Sequence, residues 1–358
     1  MLSRQSFEPE LTMSVIAAAS FFTSGSMASD GNSVLVTGGA GFIGSHLVEA
    51  LLARGDRVVV IDDLSTGDWA NLSAVADHPR LHFIRGSVAN EALLGEVLPA
   101  VAEVYHLAAA VGVGLIASNP IQTIETNIAP TERLLAGLRR MHASGKPVRM
   151  FLASSSEVYG KNPKPAWDEN DDLVFGPTTR ARWSYGVSKA IDEFLVLACW
   201  RQDRLPVVVG RLFNVVGPRQ SGRWGMVLPR LVSAALAGRS PIVHDDGRQQ
   251  RCFAHVADVV RAILALVASP AATGSVFNIG GDQPVSIREL AERVIAAVDP
   301  KLEIEYQSYA AAYSEDFEDV RRRVPDLSRL RRTIDFELRH DLADIIREVV
   351  AWQRERMG

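Results

Sequence analysis

The stretch Val34-Leu-Val-Thr-Gly-Gly-Ala-Gly-Phe-Ile-Gly-Ser-His46 decides how the chain is read. A short β-branched run meets a turn in which Gly38, Gly41 and Gly44 recur every third residue, and an amphipathic segment follows. In a strand–turn–helix setting the first glycine permits the tight turn and the second lets backbone approach a diphosphate. The third lets the helix lie close on the strand, its N-terminus facing the anion. Residues Gly38, Gly41, Phe42, Ile43 and Gly44 are therefore candidate dinucleotide contacts. The next apolar run, Arg57–Asp62, ends in a carboxylate 18 residues beyond Gly44. A carboxylate there accepts both adenine-ribose hydroxyls and repels a 2'-phosphate, which selects NAD over NADP.

Outward from this motif the chain alternates apolar runs with helical stretches. Strands are expected at Ser33–Thr37, Arg57–Asp62, Leu81–Arg85, Glu103–Leu107, Val148–Ser154 and Pro206–Leu212. Helical crossovers force parallel pairing, so the fold class is α/β with a doubly wound parallel sheet. After Phe213 the rhythm loosens into shorter elements broken by proline, glycine and arginine. The organisation expected is an extension over 1–32, a nucleotide-binding domain over 33–212 with a return near 243–270, and a smaller α/β substrate domain over 213–358. An apolar stretch at Met13–Phe22 imitates a secretory core, but Glu8 and Glu10 beside Arg4 are the wrong flank for one, so it reads as a disordered extension.

Composition narrows the function. The 358 residues are 47% hydrophobic, enough for a full core, and 38 basic against 42 acidic residues leave no surplus for binding nucleic acid or an anionic membrane. No apolar run reaches the roughly 20 residues of a membrane span. Cys199 and Cys252 lack disulfide or metal-ligand spacing, which fits a reducing cytoplasm. His106 and His255 lie among apolar residues and read as satisfied core histidines.

Tyr185-Gly-Val-Ser-Lys189 sets a phenol and an ammonium four residues apart, on one helical face. A phenol is a poor base at neutral pH. A nearby ammonium together with a nicotinamide cation favours the phenolate, and Tyr185 then deprotonates an alcohol while hydride leaves to NAD. Ser154-Ser155-Ser156-Glu157 falls at a strand's C-terminal end, where open α/β sheets place ligands. Ser155 and Ser156 are candidate substrate contacts there, and Glu157 is a candidate for proton transfer.

With these motifs the chain resembles the extended short-chain dehydrogenase/reductases that act on nucleotide sugars as epimerases, dehydratases and decarboxylases. The resemblance runs from Ser33 to Trp352 and includes VYHLAA (104–109), TIETN ending at Asn127, RLFNVVGPR (211–219), GRQQRCF (247–253) and NIGG (278–281). It implies a Rossmann sheet, a catalytic set of Ser155, Tyr185 and Lys189, and cofactor contacts from Asp62, Leu107, Ala108, Ala109, Asn127, Tyr185 and Lys189. It also implies nucleotide contacts from Asn214 and Arg251, with Arg219 beside the same cleft. Ser87 and Val88 fall where many members carry an aspartate near the adenine, so one adenine contact is weakened.

Within that group, oxidation of sugar carbon 4 is the shared first step. RARWSYGVSK (180–189) and FEDVRRRVPD (317–326) are similar to the UDP-glucuronate decarboxylase branch, and Arg323 falls on that branch's catalytic arginine. The resemblance thus implies NAD-dependent decarboxylation of UDP-glucuronate to UDP-xylose or UDP-4-keto-pentose, Glu157 and Arg323 managing carbon 5. A 4-epimerase, a 4,6-dehydratase or a non-catalytic NAD-sensing module remain the alternatives. Related enzymes pair through two helices, here about Pro120–Met141 and Tyr185–Arg201, which implies a homodimer.

Overall fold

The computed structural model describes residues 32–111, 120–222, 225–312 and 318–357. Residues 1–31 of the expected extension, and Phe317 of the second arginine-bearing motif, lie outside this set.

Seven strands form the main sheet: β1 (Ser33–Thr37), β2 (Arg57–Asp62), β3 (Leu81–Arg85), β4 (Glu103–His106), β5 (Arg149–Ser155), β6 (Val207–Leu212) and β7 (Ser275–Ile279). Their spatial order is β7-β6-β5-β4-β1-β2-β3, with every pair parallel. Strands such as Val34–Val36 and Val58–Ile61 are buried along their whole length because helices cover both faces. One face carries α1 (Phe42–Arg54) and α6 (Val256–Ala268), which bury Leu47, Leu51, Ile263 and Leu266. The other carries α2 (Glu91–Val97), α3 (Pro120–Ala143) and α4 (Ser184–Asp203), which bury Leu94, Leu134, Leu138 and Val196.

The smaller lobe packs α5 (Val227–Leu236), α7 (Ile287–Val298) and α8 (Leu342–Met357) around Leu231, Leu290, Val294 and Val349. Its short strand Gln250–Cys252 pairs with Pro284–Ser286 on one side and Arg322–Arg323 on the other. The return to the large lobe runs through α6, within the 243–270 expected, and continues to β7 just beyond it. The run SVFNI becomes a strand because its partner β6 is already buried and requires an edge neighbour. No described helix is long and apolar enough to cross a membrane.

Strand order reverses between β1 and β4, and loops leaving the C-terminal ends of adjacent strands there diverge to open a crevice.

Candidate active site

The crevice is a cleft of about 1450 Å³, roomy enough for a dinucleotide and a second nucleotide ligand. The ends of β1, β2, β3, β4 and β5 wall one side through Gly38, Asp62, Ser87, Leu107 and Ser155. The small lobe walls the other through Asn214, Arg219, Arg251 and Arg323.

The glycine turn is built for close contact. Gly38 has φ +72°, and a Cβ on Gly44 would overlap the Gly38 carbonyl oxygen, so α1 can lie this near the turn only without a side chain there. Gly41 caps α1 and brings no side-chain acceptor, so the first-turn N–H groups are open to an anion at the cleft. Asp62 lines the same end; its carboxylate accepts N–H bonds from Ala40 at 2.9 Å and Leu64 at 2.8 Å. Burial raises this carboxyl, and the two N–H donors oppose the rise. Lone pairs on both oxygens remain for ribose hydroxyls. Phe42, Ile43, Val88, Ala108 and Ala109 also line the cleft, and the residues present fit NAD. Asn127 does not line it: its amide accepts from Ala110 N–H at 2.8 Å and donates to Ser188 at 3.1 Å, bracing the β4 loop to α4.

Tyr185 and Lys189 project from α4 into the cleft, both buried. Gly186 makes the approach possible, because a Cβ there would strike the Glu157 carbonyl oxygen. The Ser155 hydroxyl hydrogen-bonds the Tyr185 phenol and also accepts the Glu157 N–H at 3.2 Å. Ser156 is buried in the same turn. The phenol is not activated by these residues alone. Burial raises it above its ordinary value, the Glu157 charge adds to the rise, and the Ser155 hydrogen bond only partly opposes it. The Lys189 ammonium, expected to lower it, meets a carboxylate instead: Nζ lies 3.2 Å from Asp192 Oδ2.

Glu157 sits between two guanidiniums. Arg182 Nη1 is 2.7 Å from Oε2 and Arg323 Nη1 is 2.7 Å from Oε1. Burial by itself would raise this carboxyl; Arg323 and Arg182 outweigh it and hold Glu157 at about 2. It is therefore ionised at neutral pH and able to accept a proton but not to supply one at the outset. The Nε–H groups of Arg182 and Arg323 are buried without a hydrogen-bond partner among the described residues. Arg323 belongs to the short strand Arg322–Arg323 and is 8% exposed.

Further along the cleft, Arg251 Nη2 donates to both oxygens of Asp319 at 2.8 and 2.9 Å, and Tyr309 donates to the same carboxylate at 2.5 Å. Arg219 pairs with Glu49 of α1 at 2.6 Å, and the Asn214 amide donates to the Cys252 carbonyl at 2.8 Å. His106 is locked between Thr37 at 2.7 Å and Thr131 at 3.1 Å; burial and then the Lys189 charge hold it down at about 3, hence neutral. Arg182, Asp192 and Asp319 are site residues that the motifs did not single out. For Arg182 a signal existed, since a guanidinium three residues before Tyr185 shares its helical side.

A family model described as GDP-mannose 4,6 dehydratase matches residues 35–349. The chain is 34% identical over 322 residues to a UDP-N-acetyl-alpha-D-glucosaminuronate decarboxylase of Bacillus cytotoxicus, covering 90% of this chain and 97% of that one. It is 32% identical to UDP-glucuronic acid decarboxylase 1 of Arabidopsis thaliana, covering 90% and 70%. Among solved structures, a variant UDP-glucuronic acid 4-epimerase from Bacillus cereus, in complex with UDP-4-deoxy-4-fluoro-glucuronic acid and NAD, superposes with a TM-score of 0.80 at 26% identity, covering 90% and 99%. The glycine turn, the strand order and these matches agree: this chain belongs to the NAD-dependent epimerase/dehydratase family, the extended short-chain dehydrogenase/reductases that modify nucleotide sugars.

Proposed function

We propose that the protein is a UDP-uronate decarboxylase, acting on UDP-glucuronate or a relative of it that differs at carbon 2. The observation that carries this reading is the Arg182–Glu157–Arg323 cluster beside Tyr185 and Ser155. Two guanidiniums against one carboxylate leave a local surplus of positive charge, and two buried N–H groups lack an acceptor among the described residues. A sugar carboxylate is a ligand of the right charge, and a neutral hexose is not. Relatives named as uronate decarboxylases support the same choice.

When bound, NAD supplies the hydride acceptor for carbon 4 and a positive ring that favours the Tyr185 phenolate. Tyr185 takes the 4-hydroxyl proton, Ser155 orients that hydroxyl, and Lys189 steadies the phenolate. A ketone at carbon 4 turns the carboxylate at carbon 5 into that of a β-keto acid, which loses carbon dioxide without a metal; the pair of the broken carbon–carbon bond passes into an enolate over carbons 4 and 5, which takes a proton from water at carbon 5. Glu157, ionised and fixed, places like charge beside the incoming carboxylate and so favours its departure as a neutral gas. Arg323 and Arg182 hold the carboxylate until then. Gly38, Gly41, Gly44 and Asp62 are assigned to NAD, and Arg251, Asn214 and Arg219 to the nucleotide of the substrate.

Two further assignments belong to this reading. Ile121 and Ile124 of α3 and Val187, Ile191 and Phe194 of α4 are exposed apolar residues on adjacent helices, which suits a homodimer. Cys199 and Cys252 are free thiols, in keeping with a cytoplasmic setting.

The arginine pair would also suit 4-epimerisation of the same acid. Incubating the purified protein with NAD and UDP-glucuronate, and separately UDP-N-acetylglucosaminuronate, separates the two by product mass. Loss of carbon dioxide is expected; an isomer of unchanged mass would overturn decarboxylation in favour of epimerisation.

A further inference from the structure

We propose that Asp192 is a positioning residue of the oxidation step, a buried carboxylate that holds the Lys189 ammonium in place and withholds part of its charge from Tyr185. The proposal rests on reading Tyr185 as the base.

Tyr185, Lys189 and Asp192 follow one another along α4 at spacings of four and three residues, so all three stack on its inward side. Lys189 is 2% exposed and Asp192 is 0% exposed, and their charged atoms stand 3.2 Å apart. Asp192 does not line the cleft, so it acts on the reaction only through its neighbours.

The groups facing the pair fix the sign of the effect. On α4 they are Tyr185 and Glu193; Thr131 of α3 and the neutral His106 of β4 close the other side. Burial raises the Asp192 carboxyl, and Lys189 opposes that rise. Tyr185 is raised first by burial and then by Glu157, and Asp192 adds to this in the same direction. Removing the Asp192 charge while keeping its shape takes away a negative charge that opposes ionisation of Tyr185, and Tyr185 ionises more readily.

The test is a titration of the Tyr185 phenolate by ultraviolet difference absorbance in the NAD-loaded protein, with Tyr185→Phe as the blank. Asp192→Asn is expected to lower the midpoint by about one pH unit, a tenfold gain in phenolate at a given pH. Asp192→Glu should restore the wild-type midpoint. In the pH–rate profile the acidic limb of NAD reduction moves the same way. A midpoint unchanged in Asp192→Asn, or lowered equally in Asp192→Glu, overturns the proposal. Should Asp192→Asn not fold, Asp192→Leu replaces it with the same expected direction and the same overturning result. Wild-type protein that releases no carbon dioxide would remove the decarboxylation reading and leave this titration untouched.

Discussion

Arg182 and Arg323, 141 positions apart in the chain, each place a terminal nitrogen 2.7 Å from a different oxygen of the same carboxylate, Glu157. One arginine comes from the turn before α4 and the other from the small lobe, so the pair ties both walls of the cleft across a single acid.

Removing that acid should be costly. Glu157→Ala leaves two guanidiniums in a confined site without their counter-charge, and breaking a buried pair costs about 3–5 kcal/mol. Chemical denaturation should show a loss of that order, and a loss below about 1 kcal/mol would mean the arginines find water or other partners.

The same cluster predicts a pH dependence. Glu157 is held at about 2, below its ordinary 4.5, so its contribution to stability is present above the ordinary value and disappears as pH falls through the folded one. The melting-temperature gap between wild type and Glu157→Gln should therefore be widest at neutral pH and narrow between about pH 4.5 and 2. A gap independent of pH would remove the electrostatic account.

Gly44→Ala should abolish NAD binding. Its new methyl would overlap the Gly38 carbonyl oxygen, forcing α1 away from the turn that presents its N–H groups. Calorimetric titration with NAD checks this, and near-native affinity would show that the helix can move at little cost.

Asp62→Asn should narrow the preference for NAD over NADP by about tenfold, the order of one lost charge repulsion. The amide keeps an oxygen for one of the two backbone N–H groups that Asp62 now serves, so a modest fall in stability accompanies it. Cofactor affinities measured by fluorescence decide the matter.

Phe194, 65% exposed on α4, should be an anchor of the proposed dimer. Phe194→Glu is expected to give a monomer by analytical ultracentrifugation; a wild-type protein that sediments as a monomer would dispose of the dimer.

Legibility in the sequence followed the range of the interactions. The first six strands announce themselves as short β-branched runs between turn residues, and each lies within a residue or so of where the pattern puts it. β7 does not, because Ser275–Ile279 is a strand by virtue of the β6 edge it covers, not by its own pattern. The glycine turn and the Tyr185–Lys189 spacing are local and plain to read. What escaped is long-range: the resemblance puts Glu157 and Arg323 at the same sugar carbon, but nothing in the chain tells that they pair directly, and that contact helps hold Glu157 as a fixed anion. Asp192 escaped for a different reason, since a carboxylate three residues beyond a lysine usually marks a solvated helix side.

Because the chain leaves the large lobe after β6, comes back for α6 and β7, leaves again, and returns once more at Ser328–Thr333 to pack on β7 before α8, the two lobes are sewn together by five crossings. A fragment stopped at Leu212 would carry the glycine turn and Tyr185, yet its last strand would offer a bare row of peptide groups to any passing chain. Dissecting this molecule into separately expressed halves would thus yield aggregates, and swapping substrate lobes between relatives requires exchanging three segments at once.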